Sequence, residues 1–314
     1  GRLNIGIKNS IVKINGFLEC GTGIRPAAAG RSEVIYYSDA FLDSLLLEDI
    51  HYGDLTTRAL GIGTQNGEMH FSRKQAGYVS GLILGQKLLE KLGLQTQLHA
   101  NDGDHTEAGD LLLTATGRAE ALHQGWKIVQ NVIEWSSGVT QMTRCMVDTL
   151  RQYQPDAQLA CTRKNIPGTK LLATAAVLAG KGIIHRQGCA ETILLFANHR
   201  RFLAEPENWC AAIAALRHEA PEKTIIAEAD NPDEAYQALK GRPDVLQLDK
   251  FSPDDIRRLV KDAAVLAPGC TLSAAGGLNA ETIGQYADTG VKLFVTSAPY
   301  YASPADIKVR LYPR

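Results

Sequence analysis

The stretch that decides the fold is Thr224-Ile-Ile-Ala-Glu-Ala-Asp-Asn-Pro-Asp-Glu-Ala-Tyr-Gln-Ala-Leu-Lys-Gly-Arg-Pro-Asp-Val-Leu-Gln-Leu-Asp-Lys-Phe-Ser-Pro253. Two short apolar runs, Thr224–Glu228 and Val245–Asp249, each end on an acid and read as strands. Asn231-Pro232 and Ser252-Pro253 follow them. An Asn or Ser before Pro is the expected N-cap and first position of a helix, because the side-chain oxygen accepts from a free backbone N–H and proline has none to lose. Strand and helix in alternation, at this spacing, predict parallel strands joined by crossover helices.

The same alternation extends in both directions. Leu159–Thr162 precedes a helix over 168–179, and Gly182–Ile184 and Ile193–Phe196 follow as strands. Beyond the quoted stretch, Cys270–Ala274 precedes a helix opened by Asn279, and Val291–Thr296 comes last. That makes seven strands. Polar, ionisable or glycine residues close nearly all of them: Thr162-Arg163-Lys164, His185-Arg186, Asn198-His199, Glu228, Asp249, Ala275-Gly276-Gly277 and Thr296-Ser297. In a parallel barrel all strand carboxyl ends converge on one face, which carries the active site; in a doubly wound sheet they meet a ligand only at the switch point. Functional residues spread over all seven strands favour the barrel.

The first half has another rhythm. Ser38 is a plausible N-cap for a helix running to Asp49, which Gly53-Asp-Leu-Thr-Thr57 then breaks. Gly67–Phe71, Ala76–Val79, Leu94–His99 and Leu111–Gly117 read as strands around a helix at Gly81–Leu92, with a turn at Asn101–Asp104. Residues 119–150 read as one long helix. The fold class is therefore α/β: an incomplete parallel, TIM-like barrel over 146–314, preceded by a small α+β open sandwich with its linking helix over 34–145. Residues 1–33 lack sustained periodicity and read as an extension, vector-derived or from an upstream start.

Composition narrows the function classes. The chain has 314 residues, 45% hydrophobic and 21% charged, as an ordinary globular protein does. Its 33 Lys and Arg balance 34 Asp and Glu for a net charge of -1, which leaves no basic excess to hold a nucleic-acid backbone. No run reaches the roughly 18 apolar residues of a membrane span. The six cysteines form no Cys-x-x-Cys pair and read as buried free thiols in a reducing compartment, so a cytoplasmic enzyme is expected. There is no P-loop, no dinucleotide fingerprint and no His-Glu-x-x-His, and His185 with His199 makes a poor zinc site.

The converging residues have three chemistries. Gly276-Gly277 with Thr296 and Ser297 suits a phosphate, since glycines let backbone N–H groups approach the oxygens; an ordinary strand–helix turn reads the same way. Glu228 and Asp249 suit Mg²⁺, or ion pairs with nearby cations. Arg163, Lys164, His185 and Arg186 suit an anionic substrate, or a solvated charge run. Together they describe a site for a sugar phosphate–diphosphate with Mg²⁺, where metal and cations stabilise a leaving diphosphate and a carboxylate lies near a positive sugar.

These residues carry a resemblance. Gly53-Asp-Leu-Thr-Thr57, Asn131-Val-Ile-Glu-Trp-Ser-Ser-Gly138, Thr162-Arg-Lys-Asn-Ile-Pro-Gly168, Gly180-Lys-Gly-Ile-Ile-His-Arg186, Ala227-Glu228, Leu248-Asp249, Ala275-Gly-Gly-Leu-Asn279 and Thr289-Gly-Val291 resemble, in order and spacing, the quinolinate phosphoribosyltransferase (nicotinate-nucleotide pyrophosphorylase) superfamily. The likeness is nearest to its type linked to molybdenum transport genes, although the sequence shows no molybdate site. The resemblance implies transfer of a phosphoribosyl group from 5-phosphoribosyl 1-diphosphate to a nitrogen heterocycle, with release of pyrophosphate. It implies a homodimer, higher assemblies being open, in which one subunit's sandwich covers the other's barrel mouth. It places Lys164, Glu228 and Asp249 on the donor and its Mg²⁺, Arg163, His185 and Arg186 at the acceptor, and Gly276, Gly277, Thr296 and Ser297 on the 5-phosphate. Two departures stand out. Trp126-Lys127 replaces Glu-Arg, so an acceptor-binding Arg becomes Lys127, and a substrate Lys becomes Phe196. A site with fewer cations and an aromatic ring suits a less charged or flatter acceptor. A genuine quinolinate enzyme and a non-catalytic anion sensor are the alternatives; the retention of both acids argues against the sensor.

Overall fold

The computed structural model describes residues 35–314, so the expectations for residues 1–33, Cys20 among them, lie outside the described residues. Two helices come first, α1 (Asp39–Leu47) and α2 (Leu55–Leu60). Ser38 caps α1 by accepting from Phe41 N at 3.1 Å. Residues 53–57, expected only to break a helix, also start one. Asp54 accepts from Thr57 N at 2.7 Å, which satisfies a free N–H and places an anion at the positive end of α2.

The elements that follow are β1 (Asn66–Arg73), β2 (Gly77–Tyr78), α3 (Leu82–Lys91), β3 (Gln95–Leu98), β4 (His105–Thr106), β5 (Leu111–Arg118) and α4 (Ala119–Arg151). Next come β6 (Gln158–Cys161), α5 (Lys170–Ala179), β7 (Ile183–Ile184), β8 (Ile193–Leu195), α6 (Ala197–Arg200), α7 (Trp209–Glu219), β9 (Ile225–Ala229), α8 (Pro232–Lys240), β10 (Val245–Asp249), α9 (Pro253–Leu266), β11 (Thr271–Ala275), β12 (Leu293–Thr296) and β13 (Ile307–Pro313). Asn231 and Ser252 cap α8 and α9, with proline at the start of each.

The parallel sheet has seven strands in the order β7-β6-β12-β11-β10-β9-β8. Consecutive strands are neighbours throughout except β7 and β8, and β12 returns to pair with β6. This is a barrel open between β7 and β8. Its outer face packs on α4 and α7–α9 through residues such as Leu159, Ala227, Leu246, Leu248 and Phe294. Its inner face holds small side chains, Ala160, Ala275 and Val295.

The antiparallel sheet has the order β13-β1-β5-β3 and packs one face on α3 and α4. Helix α4 serves both cores: Ile128, Val129, Val132 and Ile133 belong to the first, Met146, Val147 and Leu150 to the second. The expected boundary between 145 and 146 therefore falls inside one continuous helix.

Three expectations need correction. Residues 307–313, expected with the barrel, form β13 and pair antiparallel with β1, and Ile307 joins the first core. The helix expected after Asn279 is a single 3₁₀ turn, Ile283–Gln285. Asn279 does cap it, accepting from Thr282 N at 2.9 Å, but Gly284 and the Asp-Thr-Gly run at 288–290 oppose its extension. Between β8 and β9 lie α6 and α7, where no helix was expected.

Candidate active site

The last residues of the barrel strands build the mouth. The segment after β6 is tied to the end of β12 and the turn beyond it. Thr162 N donates to Thr296 O at 3.0 Å, Thr162 Oγ1 lies 2.6 Å from Ser297 Oγ, and Tyr300 Oη donates to Thr162 O at 2.6 Å. Lys164 N donates to Thr162 Oγ1 at 3.1 Å, and Tyr301 Oη donates to Lys164 O at 3.3 Å. Arg163 and Lys164 thus stand on a fixed backbone with exposed side chains.

Opposite them lie the acids. Glu228 and Gln247 are register partners on β9 and β10, and Gln247 Nε2 donates to Glu228 Oε2 at 2.8 Å. Asp249 follows on the same side of β10. Both carboxyls are half-buried, and neither has an ion pair with a described residue. Burial pushes the Glu228 carboxyl above its usual range, and the charges of Asp249 and Asp230 push it further. Burial likewise raises Asp249, against the pull of Lys250. The charge of Lys164 lowers both. In a flat sheet, three or four strand spacings of about 4.8 Å would separate β6 from β10 and β9. That Lys164 acts on both acids reflects the curl of the sheet.

Gly276 and Gly277, at φ 90° and 74°, turn the chain after β11. A side chain on Gly276 would meet the Asp249 carboxylate and the Lys250 backbone, so this glycine permits a close approach as well as the turn. Lys250 itself has φ 57°, an unfavourable conformation for a residue with a Cβ, located where the acid is held. Thr296 is committed to structure. Its buried hydroxyl donates to Leu278 O at 2.7 Å and accepts from Ala298 N at 3.1 Å. It braces the glycine loop, and Ser297 is the hydroxyl nearer the mouth.

On the other side, the loop between β7 and β8 carries His185 and Arg186. Burial, with the Arg186 and Arg163 charges behind it, pushes His185 down to about 4, so its ring is neutral at neutral pH. Its Nε2 is buried without a hydrogen-bond partner. Arg186 is 6% exposed, and its Nη2 donates to Cys189 O at 3.3 Å and Thr192 O at 3.0 Å. Phe196, after β8, is half-buried with its ring edge-to-face on His199 at 4.5 Å.

Lys127 is not brought to this cluster. It lies on α4, 4.3 Å over the Trp126 ring and 3.0 Å from Gln130 Oε1, and its charge acts on Glu134. Four residues at the mouth escaped the sequence reading: Gln247, Asp230, Lys250 and Glu191, whose charge opposes those of Arg163 and Arg186 at His185. Gln247 was legible, because Val-Leu-Gln-Leu-Asp puts Gln247 and Asp249 on one side of the strand.

The mouth is an open bowl. The better-enclosed concavities lie on the antiparallel sheet and at the opposite ends of β11 and β12. Chemistry identifies the mouth, since it gathers the titratable groups that burial and neighbouring charge perturb. The acids fit Mg²⁺: two uncompensated carboxylates suit a hard cation that takes its other ligands from water and phosphate. Among the described residues no three His, Cys, Asp or Glu side chains gather to enclose a metal by themselves. The five described cysteines are free thiols, and no described helix is long and apolar enough to cross a membrane.

Comparison with known proteins agrees with this geometry. Residues 54–137 match the model of the quinolinate phosphoribosyl transferase N-terminal domain and residues 139–310 that of its C-terminal domain. The "Putative pyrophosphorylase ModD" of Escherichia coli O6:H1 is 56% identical over 280 residues, covering 89% of this chain and 99% of the relative. The protein of the same name from Pasteurella multocida is 49% identical over 276 residues, covering 88% and 98%. The crystal structure of NadC from Streptococcus pyogenes superposes with a TM-score of 0.80 at 24% identity, over 88% of this chain and 96% of that one, a likeness of fold. Two matched family domains spanning most of the length, and relatives at this identity, establish that the chain belongs to the quinolinate phosphoribosyltransferase family.

Proposed function

We propose that the barrel mouth transfers a phosphoribosyl group from 5-phosphoribosyl 1-diphosphate to the ring nitrogen of a heterocyclic acceptor, releasing pyrophosphate. The observation that carries this is the pair Glu228 and Asp249, uncompensated by an ion pair and facing Lys164 across the mouth. The nitrogen lone pair forms the new bond to the sugar carbon as the carbon–oxygen bond to diphosphate breaks, and the departing diphosphate keeps the electron pair. Mg²⁺ held by Glu228 and Asp249 would neutralise charge on that leaving group. Lys164 adds a cation to the diphosphate. The backbone of Gly276 and Gly277, with Ser297, receives the 5-phosphate, and the half-buried acids lie near the sugar as it gains oxocarbenium character.

Arg163, His185, Arg186 and Phe196 receive the acceptor. His185 acts there as a neutral ring. Arg163 and Arg186 are positive and Glu191 is negative, so the charges acting on His185 sum to about one positive charge. Phe196 adds an apolar wall. This favours a flat acceptor with fewer negative charges than a dicarboxylate. Since Lys127 contacts Trp126, Gln130 and Glu134 within its own chain, its role at the acceptor requires a homodimer in which a second subunit brings it to the mouth. The reaction is expected in the cytoplasm.

Calorimetric titration of 5-phosphoribosyl 1-diphosphate with and without Mg²⁺ tests the reading. Tight, Mg²⁺-dependent binding that Glu228→Gln abolishes is the expected result. Absence of donor binding, both alone and with quinolinate or nicotinate present, overturns it.

A further inference from the structure

The antiparallel sheet packs one face on α3 and α4. On β1, burial alternates so that Met69, Phe71 and Arg73 point inward and Glu68, His70 and Ser72 outward. On β13, Ile307 points inward and Lys308, Arg310 and Tyr312 are exposed on the other face. The register sets Arg310 beside His70 and Lys308 beside Ser72.

This face is not flat. Between Phe71 and Ser72 the partner on β5 jumps from Leu113 to Leu111. Such a bulge bends its strand and increases the local twist. At the same corner Gly109, at φ 89°, turns the chain into β5. The result is a concavity of about 200 Å³ with Gly109 at its edge, walled by His70, Ser72, Leu111, Lys308, Arg310 and Tyr312. None of these residues belongs to the barrel.

Its charge is unbalanced. Neither Lys308 nor Arg310 makes an ion pair or a hydrogen bond with a described residue. The acid of the same rows, Glu68, is already engaged. His70 Nε2 lies 2.6 Å from its Oε1, and Arg314 reaches its Oε2 at 2.8 and 2.7 Å. Two cations thus stand at alternate positions of one strand, about 7 Å apart, with a hydroxyl about 5 Å across the ladder. A phosphoryl group placed among them would take a forked contact from Arg310, a point charge from Lys308 and a hydrogen bond from Ser72. Tyr312, its ring 5.1 Å from that of His70, offers an aromatic side to whatever the phosphoryl group is attached to.

We propose that this concavity is a second anion site, built on the open face of the antiparallel sheet to bind the phosphoryl group of a small molecule. The substitutions Lys308→Ala and Arg310→Ala together remove exposed side chains and leave the core intact. In calorimetric titrations of inorganic phosphate the double variant is expected to lose at least about tenfold in affinity at this face, as two charge-assisted contacts disappear. Its Mg²⁺-dependent donor binding at the barrel should not change. Amide NMR shifts on adding phosphate should centre on residues 72, 308 and 310. Ribose 5-phosphate binding more tightly than inorganic phosphate assigns an organic phosphate to the site; equal binding assigns free phosphate. A double variant with the wild-type phosphate isotherm overturns the proposal, as do shifts confined to the barrel strand ends. So does a variant whose one change is its oligomeric state in sedimentation, which would identify the face as a subunit contact.

Discussion

Gly276→Ala should separate the geometry of the donor site from the stability of the chain. A Cβ at this position would lie 2.5 Å from Lys250 Cγ and 2.6 Å from both Asp249 Oδ1 and Lys250 N, whereas ordinary contacts begin at 3.4 Å. The backbone nitrogen cannot retreat cheaply, because it donates to Ala275 O at 2.9 Å in the same turn. The carboxylate of Asp249 must therefore shift by most of an ångström. A misplacement of about 1 Å in a reacting constellation costs roughly 10²-fold, or about 2.7 kcal/mol. The backbone adds a second cost of about 1–2 kcal/mol, since φ 90° disfavours any residue with a Cβ. Gly269→Ala isolates that second cost: Gly269 has φ 91°, and nothing lies within 4 Å of its Cβ position. Both variants should melt a few degrees early, at about 2 °C per kcal/mol for a chain of this size. Calorimetry with 5-phosphoribosyl 1-diphosphate and Mg²⁺ should show an approximately hundredfold weaker complex for Gly276→Ala and an unchanged one for Gly269→Ala. Donor affinity in Gly276→Ala within about threefold of wild type would refute the assignment of Asp249 to the donor and its metal.

Glu228→Gln should abolish Mg²⁺-dependent donor binding while raising the melting temperature at neutral pH. Burial raises this carboxyl's pKa in the fold, so its ionised form opposes folding, and that penalty appears as pH rises from the unfolded value through the folded one. The gain should vanish in acid below the unfolded value, and a variant that is less stable at neutral pH would contradict the burial argument. His185 is depressed to about 4, so folding disfavours its protonated form, and stability is lost as pH falls from about 6.5 toward 4. His185→Gln should lessen that acid sensitivity, and ring-nitrogen NMR should show a neutral imidazole throughout; an imidazolium at pH about 6 would contradict the assignment. Phe196→Lys should leave donor affinity unchanged and raise the affinity for quinolinate relative to nicotinate by about tenfold, as one new charged contact allows; Phe196→Leu should not. An unchanged ratio in Phe196→Lys would remove Phe196 from the acceptor site.

The barrel was legible because its signals are local. An apolar run, an Asn-Pro or Ser-Pro cap and an acid at a strand end are each read within about ten residues, and β9, α8, β10 and α9 all lie where that reading puts them. Closure was harder to read. β12 pairs with β6 across more than a hundred residues of sequence, and no local pattern encodes the gap between β7 and β8. β13 shows the same limit. Its alternation of Ile307, Val309 and Leu311 with Lys308, Arg310 and Tyr312 is a clear half-buried strand, yet nothing in it names a partner as distant as β1. Tertiary pairing also overrode a local cap at Asn279, whose side chain starts a helix that ends after a single turn.

At the site, the residue types were legible but their electrostatic grouping was not. The sequence gives Arg163 and Lys164 as one cationic pair, yet the curl of the sheet divides them: Lys164 acts on Glu228 and Asp249, Arg163 on His185 and Arg186. Adjacent side chains on an extended segment point apart, so two neighbouring cations can serve opposite sides of one bowl. That division gives the mouth its polarity. One side, with two acids and a lysine, suits a metal-bound diphosphate. The other, with two arginines, a neutral histidine, Glu191 and the Phe196 ring, suits a flat acceptor of low charge. Reversing the acidic side alone tests whether the two sides are independent. Asp249→Asn should weaken the donor and leave the acceptor end intact, because neither Asp249 nor Glu228 is among the charges that act on His185. An equal loss of donor and acceptor binding would show instead that the bowl binds its two substrates as a single electrostatic unit.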